Sequence, residues 1–162
     1  MAELTNLETK LGEVIGLAMA AQAATERVEK LTKDTKLKRQ LKTMRQEAAQ
    51  AEKDGTAVAA GMDGKKGKIL AEARTVRTKG ANMMKTYLEH GSDDLDGFEF
   101  MTMAEAGEVG HWAVLKKLNE QAGEEQVSEL VEWALPIQER HLSETKERAL
   151  QLAGEKDPYE ES

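Results

Sequence analysis

A chain of 162 residues is the size of one domain with a core of its own, and its many charged residues, few aromatics and only two prolines favour helix almost throughout. The absence of cysteine removes disulfides, thiolate catalysis and zinc-finger sites, so any metal must be held by carboxylate, imidazole, amide or hydroxyl groups. The net charge of −7 divides into −3 over residues 1–26, +9 over 27–85 and −13 over 86–162, and no apolar run approaches the roughly 20 residues that cross a bilayer.

These features predict an all-α protein that is soluble, cytoplasmic and free of membrane contact. The N-terminus lacks a basic segment followed by an apolar core, so no secretory leader is expected. The basic middle reads as solvated helix faces packed against acidic ones. The same asymmetry would also suit head-to-tail subunit packing or a polyanion-binding surface over residues 27–85, although no aromatic is interleaved there for stacking on bases.

The first predicted helix runs from Leu4 to Thr32, with Leu7, Leu11, Val14, Ala18, Ala21, Thr25 and Val28 at alternating steps of three and four. Thr5 or Asn6 caps its start, with Glu8 in the first turn. Asp34 caps a second helix, whose stripe of Leu37, Leu41, Met44, Ala48 and Ala51 ends near Lys53. The short break between the two implies an antiparallel hairpin. Residues 55–67 hold four glycines and read as a linker. Gly64-Lys65-Lys66 is not a phosphate loop, because no Ser or Thr follows the first lysine and no glycine stands five residues before Gly64.

The third helix is expected from Lys68 to Glu89, with Gly80 marking a close approach to a neighbouring helix. Met83 and Met84 are core filler, and His90-Gly91 closes the helix. Residues 92–97 form an acidic capping turn, too short in its run of oxygen ligands for a calcium loop. The fourth helix follows from Glu99 to Gln121, with the stripe Met101, Ala104, Glu108, His111, Leu115, Leu118. Gly123 makes the turn, and the fifth helix spans Glu124 to Leu152, where Gln138 and His141 interrupt an apolar face just beyond a kink expected at Pro136.

Glu108-x-x-His111 and Gln138-x-x-His141 each stack two potential metal ligands on one helix face, pointed at the core. His111 and His141 fall about 9 Å apart along the bundle when counted from Gly123 at 1.5 Å per residue, a difference of which loop geometry and stagger can absorb one turn. An ionised glutamate in an apolar core must be satisfied. Three solutions stand open. One is a divalent metal held by Glu108, His111 and His141, with Glu105, Gln138 or Glu144 in support. The second is a metal-free Glu-His network, and the third is a subunit interface that brings a basic partner. Two histidines with one or two carboxylates suit iron, manganese or zinc better than calcium or magnesium. No strand-to-helix elbow or glycine-lined anion hole supports nucleophilic catalysis.

Two helical hairpins joined by a long crossover that carries its own helix, with Glu-x-x-His pairs facing inward, resemble the ferritin-like superfamily. From Leu4 to about Leu152 the chain is similar to the bacterial stress-associated YciF-like ferritin-like family, most closely over Leu37–Glu47, Glu105–Gly123 and Leu130–His141. The resemblance implies an antiparallel four-helix bundle over residues 1–153, followed by a disordered acidic tail at 154–162. It also implies a homodimer and an iron or manganese carboxylate-histidine centre, with zinc as a substitute. Glu105 and Glu108 fall where relatives place acidic ligands, Gln138 stands where a glutamate is expected, and His141 supplies the histidine of the later pair. In the first hairpin Ala18, Thr43 and Met44 occupy ligand positions, with Glu47 one turn on. The implied centre is therefore incomplete or asymmetric, supporting at most a metal-dependent oxidoreductase activity. The alternative is a metal-free stress or interaction module.

Overall fold

Capping residues and apolar stripes together set out five α-helices in the computed structural model, which describes residues 3–161. They are α1 (Asn6–Leu31), α2 (Thr35–Ala60), α3 (Lys66–Tyr87), α4 (Asp94–Ala122) and α5 (Glu125–Gly154), with no strand among the described residues. None of these helices is long and apolar enough to cross a membrane.

Local chemistry explains most boundaries. Thr5 and Glu8 form a reciprocal capping box at the start of α1, and the Asp34 carboxylate accepts from the backbone N–H groups of Lys36 and Leu37 at the start of α2. Asp93 and Asp96 form a second capping box, so α4 begins five residues before the expected Glu99. Gly123 ends α4 in the left-handed conformation, at φ 69°, which costs glycine nothing. Helix α5 runs on through Pro136 without interruption.

The expected linker over 55–67 is mostly helix. Helix α2 continues to Ala60 because its stripe does not stop at Ala51: Gly55 and Val58 extend the same steps and are buried. A side chain at Gly55 would collide with Ile15, so the glycine there serves packing rather than flexibility. Only residues 61–65 remain between α2 and α3.

Side-chain pairs give the helix directions. Arg45 reaches back to Glu29 and Gly55 packs on Ile15, so α1 and α2 are antiparallel. Gly97 lies on Val28 and His111 beside Lys10, so α4 is antiparallel to α1. Arg148 meets Gln40 and Arg140 meets Glu47, so α5 is antiparallel to α2. With the α4–α5 hairpin, helices α1, α2, α5 and α4 contact one another in a cycle. Helix α3 lies outside that cycle, parallel to α1, where Gly12 and Gly16 bring backbone against the carbonyls of Ile69 and Ala73. The close approach expected at Gly80 is made with Ala20. Met83, expected as core filler, is instead exposed, as is Tyr87.

The apolar core falls into two clusters. One contains Leu11, Ile15, Val58, Trp112, Leu115 and Val131, and the other Val28, Leu41, Met44, Phe98 and Met101. Along α4 the residues between them are Glu105 and Glu108, and along α5 they are Gln138, His141 and Thr145, all buried. A polar layer thus crosses the middle of the core.

Candidate functional site

Helix α4 buries Phe98, Met101, Glu105, Glu108, Trp112, Leu115 and Asn119, a strict alternation of three and four. This stripe shares Met101, Glu108 and Leu115 with the expected one and differs by one residue at the positions between, so Glu105 is buried in place of Ala104, Trp112 in place of His111 and Asn119 in place of Leu118. His111 stands at the seam with α1, its side chain 42% exposed. Its Nδ1 is 3.2 Å from Glu13 and 3.1 Å from Lys10 Nζ. His111 therefore does not share the core with Glu108, and the 9 Å separation from His141 is not closed by stagger.

The hairpin about Gly123 sets which residues meet. Glu105 and His141 are equidistant from Gly123, as are Glu108 and Gln138. In an antiparallel pair, residues equidistant from the turn lie at one level. His141 Nδ1 is 3.8 Å from Glu105 Oε2, and the Gln138 amide hydrogen-bonds Glu108. On its other side, His141 Nε2 lies 3.1 Å from Glu47 Oε1, and Arg140 also pairs with Glu47. Glu47 is the contribution of α2 that the later pair of motifs does not announce; its own signal is its place one turn beyond Met44. Glu144 lies outside the layer, partly exposed and 4.0 Å from Arg140.

The Glu105 and Glu108 carboxyls interact directly across one turn of α4, and their burial together with this like-charge contact favours a state in which at least one of them is protonated. Burial pushes the Glu105 carboxyl up to about 8, an effect its bond to Glu108 opposes. Glu108 is held well above the carboxylate range, first by burial, then by the charge and hydrogen bond of Glu105, while Gln138 opposes both. Burial also lowers the affinity of His141 for a proton, against the pull of Glu47. The result is a chain of acid, imidazole and acids running Glu47, His141, Glu105, Glu108, closed by Gln138.

Four buried atoms in or beside this layer lack a hydrogen-bond partner: Glu105 Oε2, Glu108 Oε2, Gln138 Oε1 and Trp112 Nε1. Three are oxygens, and unpaired buried oxygen is costly unless a cation or donor meets it. Among the described residues no three His, Asp or Glu side chains already converge as a metal cage. The layer therefore presents donors of the right kind, carboxylate oxygen and imidazole nitrogen, without a preformed polyhedron.

No family model matches the chain, and no curated protein or solved structure matches it significantly.

Proposed function

We propose that the protein is a ferritin-like four-helix bundle, with α3 as the crossover helix, that binds a single divalent transition metal at an incomplete carboxylate-histidine site. The observation that carries this reading is the pair of buried carboxyls, Glu105 and Glu108, each keeping one oxygen without a partner beside buried His141. The cyclic contact of α1, α2, α5 and α4 in alternating directions, outside which α3 lies, supports the ferritin-like arrangement.

Glu105, Glu108 and the Nδ1 of His141 would hold the ion, with Gln138 Oε1 as a neutral fourth ligand. This set suits iron, manganese or zinc. Glu47 accepts from the far nitrogen of His141 and so fixes the ring and its tautomer, the part a carboxylate behind a ligating histidine commonly plays. Bound iron or manganese would supply one-electron redox chemistry. The chain's own contribution is to orient the ligands, keep water out of the layer and hold a proton on Glu105 or Glu108 when no ion is present. Ala18, Thr43 and Met44 leave the α1–α2 side without a matching set, so two bridged ions are not expected. His111 and Glu144 take no part.

Purified without a histidine tag and reconstituted with each ion in turn, the protein should hold close to one equivalent of iron, manganese or zinc and should melt at higher temperature than after chelation. Glu108→Gln with His141→Ala should abolish both effects, whereas His111→Ala should leave both intact. A second reading is a metal-free module, favoured by the contacts the layer makes on its own, His141 with Glu47 and Glu108 with Gln138. Failure to retain any of the three ions, with a melt indifferent to chelator, would decide for that module.

A further inference from the structure

Helix α4 carries two stripes at alternating steps of three and four, on opposite faces. One is buried and contains Glu105 and Glu108; the other is Glu99, Met103, Ala106, Gly110, Ala113 and Lys117, every one of them exposed. From Phe100 to Leu115 the only charged residues are Glu105 and Glu108, both buried, so about four turns of outer surface hold no ionisable group except partly exposed His111. In a chain of which 33% is charged, such a face is out of character for a helix that meets only water.

The glycines of this face have no explanation within the protomer. A Cβ added at Gly12, Gly16, Gly55, Gly80 or Gly97 would crowd a facing helix, whereas at Gly107 and Gly110 it meets nothing within 4 Å. Each costs the helix about 1 kcal/mol against alanine. Exposed apolar side chains gather at the same place. Of the six large ones among the described residues, Met103 and Val114 stand on α4, and three more border it from its neighbours. Met83 and Tyr87 of α3 line depressions shared with Met103, and Leu150 of α5 lines one shared with Glu99. Apolar groups collected on one face mark an interaction surface, where the same groups scattered singly would not.

The pattern of the stripe names the partner. Its positions are symmetric about residue 108: Glu99 mirrors Lys117, Met103 mirrors Ala113, and Ala106 mirrors Gly110. Antiparallel pairing with a second copy therefore lays the stripe on itself level for level, with small residues in the middle that let the two helices approach closely, and sets Glu99 against Lys117 at both ends. Parallel pairing would set Glu99 on Glu99 and Lys117 on Lys117. Glu99 has no ion-pair partner in its own protomer, and Lys117 pairs only with Glu120, both well exposed, a contact that is traded at little cost.

We propose that the outer face of α4 is an interface with a second copy of the chain, packed antiparallel about a twofold axis at the level of Glu108. The interface goes beyond metal binding and needs no ion. Sedimentation equilibrium of the full-length protein tests it, with chelator present and protomer concentrations up to about 100 μM, where an association of micromolar Kd is nearly complete. The expected result is a reversible monomer–dimer equilibrium that goes no further. Gly110→Glu puts a charge beside the axis where the protomer has open space, and should weaken the dimer by at least about tenfold with helix content unchanged. Glu99→Lys alone and Lys117→Glu alone should each weaken it by about tenfold, since each turns two attractive contacts into two repulsive ones. The two together should recover most of that loss, which neither a parallel pair nor an interface elsewhere would show. A protein that stays monomeric, association that continues past the dimer, Gly110→Glu dimerising like the parent, or a double variant no tighter than the single ones would each overturn the proposal. Because chelator is present throughout, failure here leaves the metal reading standing, and a protein that retains no metal leaves this one standing.

Discussion

Two carboxyls raised by burial in a polar layer between apolar clusters make Glu105 and Glu108 the residues through which pH acts on this fold. A carboxyl raised from 4.5 to about 8 binds its proton in the native state over a range where the unfolded chain has lost it. The contribution is fully present below about pH 4.5 and is lost as pH rises through about 8, at roughly 1.4 kcal/mol per pH unit per proton. The metal-free protein should therefore lose urea resistance between about pH 5 and about pH 8, and Glu105→Gln should flatten that profile. A flat profile in the parent protein would show that the pair is not buried and neutral in solution. At this scale the sequence was legible for Gln138 and His141, because the α5 stripe runs unbroken to both. It misled at His111, because from Met101, Glu108 and Leu115 both a three-residue and a four-residue step stay on one helix face, so Ala104 and His111 fit the periodicity as well as Glu105 and Trp112 do. Burying the indole removes more apolar surface from water than burying the imidazole, and that difference selects the phase.

Backbone contact between α1 and α3 is the feature of the helices with the sharpest energetic consequence. A methyl group at Gly16 would stand 2.4 Å from the Ala73 carbonyl oxygen, and backbone on both sides cannot yield as a side chain can. Gly16→Ala should cost about 1–3 kcal/mol in urea unfolding, the range for overpacking, despite the better helix propensity of alanine. Gly107→Ala, where the space is open, should instead stabilise by about 1 kcal/mol. Existence and order of all five helices were legible from the three-four periodicity and the capping residues. Two boundaries were not. The glycines at 55 and 61 suggested a linker, yet Gly55 is helical because Ile15 occupies the space its side chain would need. The start of α4 was hidden because an acidic run reads equally as turn or as capping box, and the reciprocal bonds of Asp93 and Asp96 are visible only in three dimensions.

The whole molecule holds two apolar lobes separated by a polar layer, and the lobes are not interchangeable: one is built around Trp112 and Leu115, the other around Phe98, Met101 and Met44. Replacing Glu105, Glu108, Gln138 and His141 together with leucine or methionine should raise the unfolding free energy by about 1–4 kcal/mol, since buried polar sets are often less stabilising than apolar residues of similar volume. Equilibrium unfolding in guanidinium would measure the gain, and a loss would mean that the layer contributes more than it costs. The layer also acts as a key for sliding. Glu105 meets His141 and Glu108 meets Gln138 only when α4 and α5 are level about Gly123; displaced by one heptad away from that turn, α5 would set Val131 opposite Glu108 and Ala134 opposite Glu105, leaving both acids among apolar side chains. A fully apolar interior would accept either alignment. The four-residue replacement should thus be more stable and less singular, with broadened amide resonances along α5, because the residues that weaken the core are those that tell one helix where to stop against the next.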